Sequence, residues 1–559
     1  MATDDKYDRQ LRMWGPHGQK ALAEASVCCV GSNAIATETL KNLVLPGVAH
    51  LTIVDEAVVE SADLGQNFFV EMQDVGHSRA KAALKHLLEL NPDVKGEAVQ
   101  QSVTSLLEKD EGFFQQFTLI IAAQTPQRDA VALCELCHRY NKAFIHLRGV
   151  GFIGTIRLFA REHAVIETKN ESDFGDLRLT EPFKELKSYA MSVDVSSSSM
   201  DEVKHAHVPY VVILLKALEQ FRNNYNGRLP STAEEKETFK QFILAMRRSD
   251  KEVNFDEALK HMFKAFKAYT IDSSVKAILD DAKSISGHEP NNTAFWIVAK
   301  AVAQFESACG RLPLSGTLPD MTADTDSFIK LQSIYRQRAE GDVAAVRASV
   351  SSFLSGTDGD SGAGTAVMGV INGMRDINET HHHHPTKIDD EYIQRFCKHA
   401  HSIALFRYRT LAEETKPDTA MKDNIRESYD EFTADETSSE VPWYLALAAW
   451  EVFREEKGYV AGAKTDHDHS DDTLAGDVEA LKGCARRVCT ALDLPADAVP
   501  DKYLQELVRY GGCELHTTAS FLGGVASQEA VKLITKQWIP LQNTLIWNGL
   551  HSRGAVLEL

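Results

Sequence analysis

The sequence predicts an α/β domain of the dinucleotide-binding type, split by a large, mainly α-helical insertion. Three observations carry that prediction. Between residues 27 and 159, short β-branched runs alternate with helical patterns, as in a parallel sheet with crossover helices. From His205 to about residue 498 the segments are mostly amphipathic helices. From about Tyr503 the α/β pattern returns and ends in the runs Thr544–Gly549 and Ala555–Leu559, read here as the missing edge of the N-terminal sheet. The expected division is therefore residues 1–165 for the first part of the α/β domain, 166–498 for the insertion and 499–559 for the closing part.

Taken in order, the strands are placed at Val27–Val30, Leu51–Val54, Thr118–Ala122 and Phe144–Leu147, each a short apolar run between turn signals. Ser78–Leu90 is a helix, because Ala80, Ala83, Leu84, Leu87 and Leu88 fall on one stripe at helical spacing. Residues 354–386 and 461–476, rich in Gly, Ser and Asp, are read as surface loops. In the last helical pattern Gly523 and Gly524 would each cost roughly 1 kcal/mol against alanine, which predicts close backbone packing there.

Composition narrows the function classes. A chain of 559 residues with 43% hydrophobic content supports two or three domains. Its longest apolar runs, such as Tyr210–Leu215, fall far short of the roughly 20 residues of a membrane-spanning helix. The first ten residues, MATDDKYDRQ, carry charges of both signs and no apolar leader, so a soluble cytoplasmic or nuclear protein is expected. A net charge of -20 disfavours broad nucleic-acid binding and suits a basic partner surface. Nine scattered cysteines suit reduced thiols rather than a disulfide framework.

The segment Val27–Thr39, VCCVGSNAIATET, has the form of a first strand, phosphate loop and helix start. In a G-x-G-x-x-G loop the first glycine makes the turn, the second admits a pyrophosphate and the third lets helix pack on strand. Here those positions hold Gly31, Asn33 and Ala36. Ala36 is tolerable, whereas Asn33 sets a Cβ and an amide where phosphates would sit. The loop is thus expected to keep its shape and lose its ligand. Asp55, at the end of the second strand, stands where such folds place an acid for a ribose hydroxyl, and with the loop spoiled a leftover or helix-capping role is the plainer reading.

Other candidates for chemistry are weak. Cys134 and Cys137 lie in a helical pattern with only His138 near them, which suits buried thiols better than zinc. The run His381–His384 and the pair His467 and His469 sit in low-complexity sequence, so no metal site is expected.

Several segments together resemble the activating enzymes of ubiquitin-like proteins. They are Lys6–Gly15 (KYDRQLRMWG), Leu40–Val48 (LKNLVLPGV), Thr52–Phe69 (TIVDEAVVESADLGQNFF), Asp176–Leu179 (DLRL), Leu318–Met321 (LPDM) and Phe521–Gln537 (FLGGVASQEAVKLITKQ). Within that superfamily the chain looks like the regulatory, non-catalytic half of the neddylation branch, with a pseudo-adenylation domain. The resemblance implies a heterodimer with a catalytic subunit that uses ATP and Mg²⁺ to adenylate a ubiquitin-like modifier. That modifier then passes to a cysteine, and a conjugating enzyme delivers it to cullins. The small subunit of the SUMO-activating enzyme is the alternative within the superfamily, disfavoured by the length of the helical region. Outside this subunit class stand a self-sufficient nucleotide enzyme, such as a sulfur-carrier adenylating enzyme or an NAD-dependent oxidoreductase, and a pure scaffold.

Departures from the active pattern imply that ATP and Mg²⁺ belong to the partner. Active members carry an Asn and an Arg on phosphates where this chain has Gly65 and Gln66, and a Mg²⁺-holding acid where it has Gln124. No Pro-Cys-Thr step marks a catalytic thiol: Cys489 precedes Thr490 without that proline, and Cys309, Cys397 and Cys484 have no better setting. The resemblance assigns Arg9 the task of reaching into the partner's nucleotide site, with Arg12 as a weaker candidate; pairing with Asp8 or helix capping is the plain alternative for Arg9. Finally, Phe328, Leu331, Tyr335 and Arg338 share one amphipathic helical segment, a candidate face for docking the partner and equally a candidate for ordinary core.

Overall fold

The computed structural model describes residues 6–169, 176–195, 200–285, 293–355, 388–463 and 471–559. In chain order, α1 (Asp8–Glu24) leads into β1 (Ser26–Val30), α2 (Ala34–Val44), β2 (His50–Val54), α3 (Arg79–Glu89) and β3 (Lys95–Val99). Then come α4 (Val103–Lys109), β4 (Leu119–Ala123), α5 (Gln127–Arg139), β5 (Ala143–Val150) and β6 (Ile153–Phe159). The sheet is completed from the far end of the chain by β7 (Thr544–Asn548) and β8 (Arg553–Leu557), in the order β8-β7-β6-β5-β4-β1-β2-β3. Strands β3, β2, β1, β4 and β5 are parallel, and β6, β7 and β8 are added antiparallel. The C-terminal strands form the edge expected of them.

The continuous apolar runs of β1 and β4 are explained by cover on both faces. Val27 and Cys29, with Leu119 and Ile121, enter one core beside α1, α2 and α3. The alternate residues Cys28 and Val30, with Ile120 and Ala122, enter another against α5. Two strands of this sheet are not evident from the sequence. Lys95–Val99 is an edge strand with no fully buried residue, so it lacks an apolar run. Ile153–Phe159 is buried throughout and pairs with β5 across a tight turn at Gly151, where φ is +57°.

Two compact units divide the chain. The first holds residues 1–165 and 405–559, and the second holds Ile166–Ala404. Helices between 405 and 498, assigned by sequence to the insertion, belong to the unit that contains the sheet. They are α14 (Thr419–Ala434), α15 (Val441–Lys457) and α16 (Asp471–Ala491), and with α17 (Asp501–Tyr510) they form a core that takes in Ile546 and Leu557 of the sheet, whereas α18 (His516–Thr535) packs in the core beside α2. Residues 471–476, expected in a loop, open α16. Of the two expected loops, residues 354 and 355 end the helix Thr325–Ser355, and residues 356–386 and 464–470 lie outside the described residues.

The second unit is helical: α6 (Lys184–Ser192), α7 (Tyr210–Asn224), α8 (Ala233–Met246), α9 (Val253–His261), α10 (Ser273–Ser284), α11 (Thr293–Cys309), α12 (Thr325–Ser355) and α13 (Asp390–Lys398). Leu177, Leu179 and Met321, from the short motifs singled out in the sequence, lie in its core with α7. Leu331 and Tyr335 of α12 are wholly buried in the same core. The Tyr335 hydroxyl donates to the Leu177 carbonyl at 2.5 Å, and Arg338 pairs with Asp342 at 3.0 Å along the helix. Phe328 packs half-buried against this core. The expectation of a docking face is corrected here, because Leu331 and Tyr335 point inward and only Phe328 and Arg338 keep partial exposure.

Candidate functional site

The parallel strand order reverses between β1 and β4, and at such a switch point this fold places its ligand, beyond the carboxyl ends of the strands. Gly31 makes the turn out of β1 with φ +95°, and a Cβ there would lie 2.6 Å from the Ala123 carbonyl oxygen. The tight turn is therefore retained, and only glycine fits it. Past this turn the chain departs from a phosphate loop. Asn33 caps α2: its Oδ1 accepts from the Ala36 amide at 3.2 Å, and its Nδ2 donates to the Ala123 carbonyl at 3.4 Å. The side chain that replaces the second glycine thus ties the start of α2 to the end of β4.

The start of α2 is occupied as well. Glu514, delivered by the segment before α18, accepts from the Ala34 amide at 2.8 Å and from the Ile35 amide at 3.4 Å. It is buried, and burial raises its carboxyl to about 7, outweighing the two amides, the Arg79 charge and the Gln124 side chain, which all pull the other way. Nothing in the sequence ties Glu514 to a helix 480 positions earlier, and no role for it was legible there.

Asp55 is also spoken for. One carboxylate oxygen accepts from the Ser32 amide at 3.0 Å, the Ser32 hydroxyl at 2.6 Å and Arg79 Nε at 2.9 Å. The other accepts from the Ala57 amide at 3.0 Å. Arg79 reaches on to Asp63 at 3.3 Å. Ser32 and Arg79 were not foreseen, although Arg79 comes directly after the helix-capping Ser78. Asn67 closes the loop from outside, donating to the Ser32 carbonyl at 2.8 Å and accepting from the Thr37 hydroxyl at 3.0 Å.

Gln66 and Gln124 join the same cluster. Gln66 Oε1 accepts from the Glu514 amide at 2.8 Å, while Gly65 ends a short 3₁₀ turn with nothing within 4 Å of where a Cβ would stand. Gln124 adopts φ +53° and pairs in both directions with the Gly149 backbone, accepting from its amide at 3.2 Å and donating to its carbonyl. The Gln124 carbonyl in turn accepts from Arg454 at 3.1 Å. The structure brings together Gly31, Asn33, Ala36, Asp55, Gln66 and Gln124, and each polar one is hydrogen-bonded within the protein itself.

Arg9 lies elsewhere, exposed on α1. The start of that helix is anchored by Lys6, which bonds Asn91 and Asp93 at 2.6 Å each, and by Tyr7, whose hydroxyl accepts from Asn91 at 3.1 Å. Asp8 pairs with Arg12 at 2.9 Å. Arg9 therefore does not take the Asp8 pairing open to it on sequence grounds, and it has no ion pair among the described residues.

The thiols are mostly interior. Cys28, Cys29, Cys134, Cys137, Cys397, Cys484 and Cys489 are buried, and only Cys309 and Cys513 are exposed. Burial pushes the Cys489 thiol up to about 11 and that of Cys397 to about 12, the reverse of an activated nucleophile. Among the described residues no group of three or more His, Cys, Asp or Glu side chains is placed to hold a metal, and no helix is long and apolar enough to cross a membrane. His381–His384, His467 and His469 lie outside the described residues.

Known proteins resemble this chain along nearly its whole length. Residues 7–557 match the ThiF family. The chain is 38% identical over 565 residues to the NEDD8-activating enzyme E1 regulatory subunit of Xenopus laevis, covering 100% of this chain and 98% of that protein. It is 34% identical over 557 residues to the NEDD8-activating enzyme E1 regulatory subunit AXR1 of Arabidopsis thaliana, covering 99% of this chain and 96% of that one. Against the Drosophila melanogaster protein of the same description the identity is 34%, over 99% of this chain and 97% of that one.

Proposed function

Because this chain belongs to the ThiF family and, within it, to the NEDD8-activating enzyme E1 regulatory subunits, we propose that it is the non-catalytic half of a heterodimer that activates the ubiquitin-like modifier of cullins. The observation that carries the non-catalytic part is the filling of the crevice by the chain's own side chains. Glu514 sits on the amides a phosphate would use, Asp55 is held by Ser32 and Arg79, and Gln124, where the family places a Mg²⁺ ligand, spends its amide on Gly149. A neutral amide is also a poor ligand for that hard cation. The residues present do not fit ATP and Mg²⁺, and both are assigned to the partner. Full-length likeness to neddylation subunits favours this branch over the SUMO alternative.

The subunit then acts in two ways. It covers the catalytic subunit and holds that subunit's site in productive geometry, and it offers Arg9 from α1 to the charge developing on the α-phosphate and departing pyrophosphate. Cytoplasm and nucleus, where cullin modification would take place, are its proposed locations, and a conjugating enzyme meets it only through the activated modifier.

ATP–pyrophosphate exchange in the presence of the modifier tests the reading, with this chain alone, the catalytic subunit alone and the two mixed. Exchange that needs the mixture is expected. Exchange by this chain alone would overturn the proposal.

A further inference from the structure

We propose that Glu514 is a resident stand-in for phosphate: its carboxyl group fills the position at the start of α2 that this fold otherwise gives to a nucleotide, and its presence keeps anions out of the crevice. The inference deepens the non-catalytic reading and rests on it.

Four observations converge. A helix N-terminus presents amides without intrahelical partners and the positive end of its dipole, which is why dinucleotide folds hold phosphate there. In this chain the Ala34 and Ile35 amides point at Glu514 instead. The carboxyl group is buried rather than a surface cap, at 7% residual exposure. The peptide that leads into it is held at both ends, since the Glu514 amide donates to Gln66 and the Cys513 carbonyl accepts from the Gly151 amide at 2.8 Å. Lastly, the turn out of β1 is kept: Gly31 retains its left-handed conformation, and a Cβ there would lie 2.6 Å from the Ala123 carbonyl oxygen. The turn has been kept and an internal carboxyl group put at the helix start beyond it.

Removal of that group should expose an anion site the size of a small carboxylate. Thermal unfolding of the full chain is monitored at pH 7.5 for wild type and Glu514→Ala, in sodium formate or acetate against sodium chloride of equal ionic strength. Glu514→Ala is expected to gain a rise of about 1–2 °C in formate, once its concentration is a few-fold above the dissociation constant, and to keep rising with the logarithm of concentration, while wild type gains nothing. Glu514→Gln, which keeps the space filled, should respond no more than wild type. A Glu514→Ala protein indifferent to formate, or a wild type that responds as strongly, would overturn the proposal. Should Glu514→Ala not stay folded, its refolding yield in formate against chloride gives the same readout, and no gain in formate again counts against it. ATP added to wild type separates the two claims. Stabilisation by ATP would sink the non-catalytic reading itself, whereas silence to ATP with no formate rescue removes only the part given to Glu514.

Discussion

The crevice at the end of β1 and the exposed face of α1 belong to the same compact unit, and they treat charge in opposite ways. In the crevice every ionisable group is satisfied from within, with Asp55 on Ser32 and Arg79, Arg79 also on Asp63, and Glu514 on the α2 amides. On α1 the neighbours Asp8 and Arg12 pair with each other and leave Arg9 exposed. A buried charge without partners costs several kcal/mol, so a nucleotide site that has lost its nucleotide is stable only if its polar groups are rewired inward. An exposed arginine carries no such cost and is free to serve another molecule. The difference separates the two halves of the proposed function: a site closed from within and an arginine offered outward.

The largest expected effect tests the outward group. Arg9→Ala in the heterodimer should lower ATP–pyrophosphate exchange by at least about tenfold, toward the roughly 10³ typical of an arginine supplied across an interface. Stability of the chain and affinity for the partner should hold, because Arg9 has no ion pair to lose among the described residues. An unchanged exchange rate would break the comparison, leaving Arg9 as surface only.

Next come the inward-facing residues of the second unit. Leu331→Ala should destabilise the chain by about 2–5 kcal/mol, as large-to-small changes at wholly buried positions do, read by thermal or urea unfolding. A partner-docking role would instead lower heterodimer affinity at unchanged stability, and that result would restore the interface reading that burial argues against.

Titration of the crevice ranks third. Folded Glu514 keeps its proton up to about pH 7, whereas a glutamate in the unfolded chain releases it near 4.5. Between those values the folded form holds the extra proton, so the contribution of this group favours folding at the acid end and declines as pH rises toward 7. Glu514→Gln cannot ionise and removes that slope. Its stability relative to wild type should rise between pH 4.5 and 7, by up to about 3 kcal/mol, and level off above. Parallel curves for the two proteins would mean that the carboxyl group is not held out of water as the structure places it.

These contrasts also mark what the sequence makes legible. Strands β1 and β4 read clearly because cover on both faces demands continuous apolar runs, and the C-terminal strands because a split sheet needs an edge. The half-exposed edge strand Lys95–Val99 carries no such demand and left no signal. Asn33 stood out as a departure from the glycine pattern because a side chain at a glycine position is a local fact. Glu514 did not declare itself, since its role depends on a contact spanning most of the chain. The stripe on α12 showed that Leu331 and Tyr335 are buried against something, but an amphipathic pattern is the same whether the cover is the unit's own core or another subunit.

The smallest effect comes from two adjacent glycines in α18 that look equivalent in sequence. A Cβ on Gly523 would lie 2.8 Å from both the Glu38 Cβ and the Thr39 amide nitrogen of α2, whereas one on Gly524 would meet nothing within 4 Å. The expectation of close packing thus holds for the first and fails for the second. Gly523→Ala forces α18 away from backbone that cannot yield and should cost about 1–3 kcal/mol. Gly524→Ala adds helix propensity in open space and should gain up to about 1 kcal/mol in the isolated chain. Since α2 carries the amides that hold Glu514, Gly523→Ala should also weaken the formate response of the Glu514→Ala background, and Gly524→Ala should leave it intact. Equal effects of the two alanines on stability would mean that α18 does not press on α2 as closely as the structure places it.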